Sequence, residues 1–299
     1  MKSSFYSNGK LLLTSEYFVL DGATALAIPT KYGQTLSIHS SEENRLNWKS
    51  YDENNNLWFE SVFDLKLQLL SSSNISTAKT LLKILQEAQK LNSSFLNTSK
   101  GFDVHTKLDF PRNWGLGTSS TLINNIAQWA EVNAFELLEN SFGGSGYDIA
   151  CAQNPFPLLY SNKETPPAVK EVLLDWPFKD QIYFVYLNQK KSSKEAIEHY
   201  KKINPAAGVD EVNALTEQIL KCDSLSHFET LLDAHENFIS KTLQLPKIKD
   251  QQFPDFPGGI KSLGAWGGDF ILVTGNSAKA YFKQKGYDII IPFRDMLLS

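Results

Sequence analysis

The sequence predicts an α+β fold. Residues from about 3 to 60 alternate and turn like β structure, a helical apolar period sets in at 77, and both halves of the chain then mix the two patterns. Short runs at 11–14, 25–28, 35–39, 46–50 and 57–63 are separated by Gly, Pro, Asn and Asp, the residues that bound strands. Over 77–91, Leu81, Leu82, Leu85, Ala88 and Leu91 recur at helical spacing, with Lys79, Lys83, Gln86 and Lys90 turned outward. Phe102, Val104, Thr106 and Leu108 alternate with Asp103, His105 and Lys107, predicting a half-buried strand that runs into Pro111. A helix is predicted over 119–138, with Leu122, Ile126, Trp129, Ala130, Val132 and Phe135 facing the core. A short helix over 147–153 is stopped by Asn154 and Pro155. Strands at 158–161, 169–173 and 182–187 precede helices at 194–202, 209–221 and 225–242. A strand at 270–274, a helix at 278–285 and a strand at 287–291 close the chain. The boundary between halves falls between Asn154 and Pro167, giving domains over 1–160 and 161–299.

Bulk composition narrows the function. With 299 residues, 42% hydrophobic and 21% charged, the chain can bury a full core and is neither disordered nor fibrous. Its net charge of −4 supplies no basic field for nucleic acid or an anionic membrane surface, so the expected partner is a small molecule. No apolar stretch reaches the ~18 residues of a membrane span, and no basic-then-apolar leader opens the chain. A cytoplasmic enzyme is the expectation. Cys151 and Cys222 are too few for a disulfide framework and read as buried thiols. The sequons at Asn74, Asn92 and Asn97 read as turn composition, and His39, His105, His199, His227 and His235 have no metal-ligand spacing.

Three separated segments carry the chemistry: Asn8, Gly9 and Lys10 before an apolar run; residues 111–121; and residues 258–269. The middle one is the most informative. Gly115, Leu116 and Gly117 followed by Thr118, Ser119 and Ser120 at a helix start place N–H groups, a helix dipole and hydroxyls around one point, as an anion requires. The same hydroxyl residues suit a plain helix N-cap equally well. Lys10 suits a phosphate-directed charge or, more often for a lone strand lysine, a solvated surface. Asp148, behind Gly143, Gly144 and Gly146, suits a proton acceptor or a helix-start cap. There is no P-loop pattern and no dinucleotide fingerprint, and Ser145 fails as a hydrolase nucleophile because Tyr147 replaces the required glycine.

Taken together, these residues resemble one superfamily. Pro111 with Gly115, Leu116, Gly117, Thr118, Ser119 and Ser120 is similar to the Pro-x-x-x-Gly-Leu-Gly-Ser-Ser motif of the GHMP kinases. Residues 9–22, with Lys10, Glu16 and Tyr17, resemble the first motif of that superfamily; Gly264, Ala265, Trp266, Gly267, Gly268 and Asp269 resemble the third. Ser145, Gly146 and Asp148 match the Ser-Gly-x-Asp segment of the mevalonate branch, and residues 146–150 look like the signature of the bacterial GYDIA family of GHMP kinases. The resemblance spans residues 8–270, in the family's order. It implies the GHMP kinase fold, with an N-terminal ribosomal-protein-S5-like α/β domain and a C-terminal ferredoxin-like α/β domain.

The resemblance further implies ATP and Mg²⁺ as cofactors. Gly115, Leu116, Gly117, Thr118, Ser119 and Ser120 would hold the phosphates, with Ser119 as metal ligand. Asp148 would orient or deprotonate the acceptor, and Lys10 would stabilise ionised Asp148 and the transferring phosphoryl group. Glu16, Ser145, Gly146, Lys194, Gly264, Ala265, Gly267 and Gly268 would line the substrate or third-motif loop. Glu16 and Tyr17, the segment 188–194 and Asp269 lean toward mevalonate or phosphomevalonate as acceptor. An ATP-dependent decarboxylase of the same fold and a degenerate nucleotide-binding module are the alternatives. Two departures stand out. Trp114 and Trp266 replace small residues and are expected to pack near one another, and Leu137 stands where mevalonate kinases carry an acidic metal ligand, leaving Glu136 or Glu139 as substitutes.

Overall fold

The alternating start of the chain forms strands in a computed structural model, which describes residues 2–189, 193–203, 208–264, 266 and 268–298. Two units divide the chain. The first comprises residues 1–9, 32–112 and 116–153; the second comprises residues 10–31, 113–115 and 154–299.

In the first unit, β1 (Lys2–Leu12) up to residue 9, β2 (Ala25–Ser41) from residue 32, β3 (Arg45–Tyr51), β4 (Leu57–Asp64) and β5 (Leu69–Ser72) precede α1 (Ile75–Leu91) and β6 (Gly101–Leu108). The sheet order is β5-β4-β3-β6-β2, with β1 on β2; β3 and β6 run parallel, and β2–β6, β3–β4 and β4–β5 are antiparallel. Register aligns Ile38, Val104 and Trp48 in one row across three strands, all buried. The next residues on each strand, His39, Asp103 and Asn47, form a row on the opposite, polar face. Leu81, Ile84, Leu85 and Ala88 of α1 cover the apolar face. Each buried Leu or Ile stabilises by roughly 1.5–3 kcal/mol, which fixes the register against a one-residue slip. Asn74 accepts the Thr77 N–H at 3.0 Å, so α1 starts ahead of its apolar stripe.

The helix predicted over 119–138 is two helices, α2 (Thr118–Ala130) and α3 (Ala134–Ser141). Glu131 takes a left-handed conformation (φ 56°) and closes α2; Asn133 then caps α3 by accepting from the Phe135 and Glu136 N–H groups. Both helices pack on the same core, so their apolar periodicity continues across a break it cannot register. Among the predicted core positions, Ile126 and Ala130 are buried, whereas Leu122, Trp129, Val132 and Phe135 are only partly so. Thr121, Asn124 and Asn125 are buried in α2. α4 (Tyr147–Gln153) follows and packs on α2.

In the second unit, residues 25–27 of β2 pair with β7 (Leu158–Ser161), which pairs with β8 (Ala168–Glu171). Next come β9 (Ile182–Tyr186), α5 (Ser193–Ile203), α6 (Val209–Leu220) and α7 (Leu225–Leu243), then α8 (Ile248–Gln252) and β10 (Ile260–Ser262). β11 (Phe270–Thr274), α9 (Ala278–Gln284), β12 (Ile290–Pro292) and α10 (Phe293–Met296) complete the unit. An antiparallel sheet runs β10-β11-β9-β12, with Val185, Ile271 and Val273 packed on Phe253, Phe256 and Phe282. The last predicted strand is shorter than 287–291, and Tyr287 packs against this core from outside the strand. α8, β10 and α10 were not predicted; at three to five residues they are too short for periodicity to show. Cys151 and Cys222 are buried free thiols. Among the described residues, no helix is long and apolar enough to cross a membrane.

Candidate active site

In the first unit the hydroxyl-rich loop opens α2 without a side-chain cap. The N-cap is Gly117 itself, left-handed at φ 92°, with no side-chain hydrogen bond to the helix and no acidic residue in the first turn. This decides against the plain Ser/Thr cap. Glycine tolerates that φ where other residues are strained, and it leaves the first N–H groups of α2 and the positive end of its dipole for an outside anion. Ser119 is exposed and Thr118 half-buried, whereas the Ser120 hydroxyl donates to the Gly117 carbonyl at 2.9 Å. The Ser120 hydroxyl is thus engaged on the loop backbone, and Leu116 is fully buried.

A buried polar network holds α2 in place. Ser7 Oγ donates to Asn125 Oδ1 at 2.8 Å, Asn125 Nδ2 to the Gln34 carbonyl at 2.9 Å, and Asn124 Nδ2 to Ser7 Oγ at 2.9 Å. Thr121 Oγ1 donates to Gln34 Oε1 at 2.8 Å. From α4, Gln153 Nε2 donates to Asn124 Oδ1 at 3.0 Å, tying the helix that carries Asp148 to α2. Asp148 is half-buried, and its Oδ1 accepts the Ile149 N–H at 3.1 Å. Ser145 is half-buried just ahead of it, and the Gly146 carbonyl accepts the Ala150 N–H at 3.1 Å. At the loop's entry, Arg112 stacks 3.5 Å over the Trp58 ring.

The second unit gathers parts of all three glycine segments around Gly115. Lys10 Nζ donates to the Gly115 carbonyl at 3.0 Å. Gly115 is left-handed (φ 68°), and a Cβ built there would collide with the Asp269 carboxylate, so the third segment lies directly on the second. The Leu187 N–H donates to the Asp269 carbonyl at 2.8 Å, and Tyr186 Oη donates to the Asn113 carbonyl at 3.0 Å. Burial, helped by the Asp269 charge, raises the pKa of the Tyr186 phenol and keeps it a donor. Trp114 sits edge-on to Phe270 at 5.5 Å and against Tyr186 at 6.2 Å.

The sequence matches no protein-family model and no curated protein. Solved structures do share the fold. Methanococcus jannaschii mevalonate kinase superposes with a TM-score of 0.71 over 97% of this chain and 97% of its own, at 16% identity. Streptococcus pneumoniae phosphomevalonate kinase in complex with phosphomevalonate and AMPPNP gives 0.69 over 99% and 98%, at 14% identity. Lactococcus lactis galactokinase complexed with galactose gives 0.67 over 99% and 93%, at 14% identity. The chain has the GHMP kinase fold.

Within that fold the remaining motif residues fall in varied surroundings. Trp266 is buried with Tyr17, Phe18 and Tyr200, and its Nε1 donates to the Pro246 carbonyl at 3.3 Å. An indole needs a partner for its N–H when buried, and Pro246 supplies one. Leu137 is fully buried in the apolar core, while Glu136 and Glu139 are exposed on α3. Gly264 is left-handed (φ 63°) and Gly268 is buried. Ala265 and Gly267 lie outside the described residues, and Lys194 falls at the start of α5. A cavity of 780 Å³ lies on the polar face of the first unit's sheet, lined by residues such as His39, Lys49 and His105 that belong to none of the motifs.

Glu16 is turned inward. It is 1% exposed and contacts Lys261 Nζ, which also lies 3.6 Å from Glu236 Oε1. Burial pushes the Glu236 carboxyl up to about 7, with Lys261 opposing and Glu16 adding to the rise. His235 is held well below the ordinary histidine range by burial and by Lys261. Lys261, His235 and Glu236 were missed by sequence reasoning. A signal existed: His235 and Glu236 fall on the helical stripe of Phe228, Leu231, Leu232, Ile239 and Leu243, where a charged residue is out of place unless paired.

Proposed function

We propose that the chain is an ATP-dependent, Mg²⁺-requiring kinase that transfers the γ-phosphoryl group to an oxygen of a small, mevalonate-like acid. The observation that carries this reading is the meeting at Gly115 of Lys10 and Asp269, drawn from the first and third motif segments. Phosphoryl transfer asks a protein mainly to position groups and neutralise charge. The uncapped amino end of α2 suits phosphate oxygens through the N–H groups of Thr118, Ser119 and Ser120. Among the described residues no group of three or more His, Cys, Asp or Glu forms a metal cage. Mg²⁺ keeps several waters and takes few protein ligands, and the exposed Ser119 hydroxyl is the candidate to hold it. Bound with the nucleotide, Mg²⁺ neutralises charge on the phosphate oxygens.

In the proposed step the acceptor oxygen attacks the γ-phosphorus, the bond to the β-bridging oxygen breaks, and ADP leaves. The acceptor proton passes to the Asp148 carboxylate, whose hold on the Ile149 N–H fixes its orientation. Lys10, anchored on the Gly115 carbonyl, supplies a fixed positive charge at the glycine turn. The first-motif and Asp269 resemblances favour mevalonate or phosphomevalonate as acceptor, and galactose is the competing class. Acceptor-dependent ADP release, assayed with mevalonate, phosphomevalonate, homoserine and galactose, tests the reading. Release with one acceptor, lost in Lys10→Met, is expected. ATP binding with no ADP from any acceptor would instead favour a non-catalytic module, and carbon dioxide release a decarboxylase.

A further inference from the structure

Four titratable side chains are closed inside the second unit. Lys261 Nζ contacts Glu16 Oε1, donates to the Ser262 carbonyl at 3.0 Å and lies 3.6 Å from Glu236 Oε1. Ser262 Oγ donates to Glu236 Oε2 at 3.0 Å, and His235 Nε2 accepts the Ser15 N–H at 3.0 Å while lying 3.5 Å from Glu16 Oε2. Each of the four is at most 1% exposed.

Apolar packing of similar volume often matches or exceeds a buried ion pair in stability, so the fold alone does not call for this set. Its position supplies a reason. Glu16 sits between two left-handed non-glycine residues, Ser15 (φ 63°) and Tyr17 (φ 66°). Such strain persists only where the surroundings over-determine it, and it concentrates at functional sites. Here His235 holds the Ser15 N–H, and the Ser15 hydroxyl donates to the Thr24 carbonyl at 2.7 Å. Lys261 lies three residues before Gly264, where the third glycine loop begins. α7 and the segment that follows it grip that loop at two points: Glu236 on Ser262 before it, and the Pro246 carbonyl on Trp266 within it. Asp269, at the loop's far end, meets Gly115, whose carbonyl holds Lys10.

We propose that Lys261 is a positioning residue: clamped by Glu16 and Glu236, it sets where the third glycine loop starts, and so holds Asp269 on Gly115 and Lys10 on the Gly115 carbonyl. Its consequence for nucleotide binding rests on the phosphoryl-transfer reading; the placement of the loop does not.

The single variant Lys261→Met would bury Glu16 without its cation and risks unfolding. The double variant Glu16→Gln with Lys261→Met removes both charges together. Hydrogen exchange of the intact protein, followed by mass spectrometry, should show the 262–269 segment exchanging at least about tenfold faster in the double variant, with α1 as protected as in the wild type. Mg·ATP affinity, titrated on the same samples, should fall by about tenfold or more. Wild-type protection of 262–269 in the double variant would overturn the proposal, as would equal acceleration throughout the chain. If the wild type binds no ATP, the kinase reading fails, and the exchange pattern alone still decides the role of Lys261.

Discussion

Asp148 is half-buried, accepts the Ile149 N–H and sits on a helix tied to α2 through Gln153. As a proton acceptor it should contribute roughly 10²–10⁴ in rate. Asp148→Asn, which preserves shape, should therefore lower turnover by that factor while leaving Mg·ATP affinity unchanged; steady-state kinetics beside a nucleotide titration would show it, and unaltered turnover would remove Asp148 from the mechanism. Glu236 makes a different prediction. Its carboxyl is raised from 4.5 to about 7, first by burial, then by Glu16 against the opposing pull of Lys261; His235 and Lys247 are the other titratable groups around it. Between those values the native state keeps a proton that the unfolded chain has lost. Stability from this group is therefore full below about pH 4.5 and declines until pH passes about 7. Glu236→Gln should abolish that slope and exceed the wild type by up to ~3 kcal/mol above the window. Urea unfolding at about pH 5 and about pH 8 checks it, and parallel shifts in both proteins would contradict it.

At the level of single elements, α2 is seated by polar groups as well as by the apolar core: Asn124, Asn125 and Thr121 are buried beside Ile123 and Ile126. Asn125→Ala would take the acceptor from the buried Ser7 hydroxyl proton, leaving Ser7 Oγ only the Asn124 amide, and would take a donor from the Gln34 carbonyl. The expected loss is about 2–4 kcal/mol, read as a lower urea midpoint at unchanged m-value. Sequence pattern located α2 but not this network, because an asparagine on a helix gives no sign of whether it faces solvent or a buried strand carbonyl. The limits of α4 and β11 were legible because Asn154 and Pro155 stop the first and a continuous apolar run spans the second. The break at Glu131 was not, since the apolar stripe carries on through it; the only local sign is Asn133 followed three residues later by Glu136, a capping pattern. The described neighbours of Trp114 and Trp266 differ, Phe270 for one ring and the Tyr17–Tyr200 cluster for the other, and no sequence pattern tells which ring meets which neighbour.

At the scale of the whole molecule, a fold shared at 14–16% identity with mevalonate kinase, phosphomevalonate kinase and galactokinase fixes architecture and leaves chemistry to particular side chains. Gly115 and Gly117 were legible in the sequence because a left-handed backbone demands glycine there. Lys261 was not, because its partners come from Glu16 and Glu236, 245 and 25 positions away in the chain, and only folding brings them together. Phosphorus NMR of the protein incubated with Mg·ATP and each candidate acceptor decides whether the phosphoryl group moves. Replacement of the γ-phosphate resonance by that of a phosphorylated acceptor, in step with ADP and suppressed by Asp148→Asn, is the expected result. ATP left intact with every acceptor, or hydrolysed only to inorganic phosphate, would overturn phosphoryl transfer.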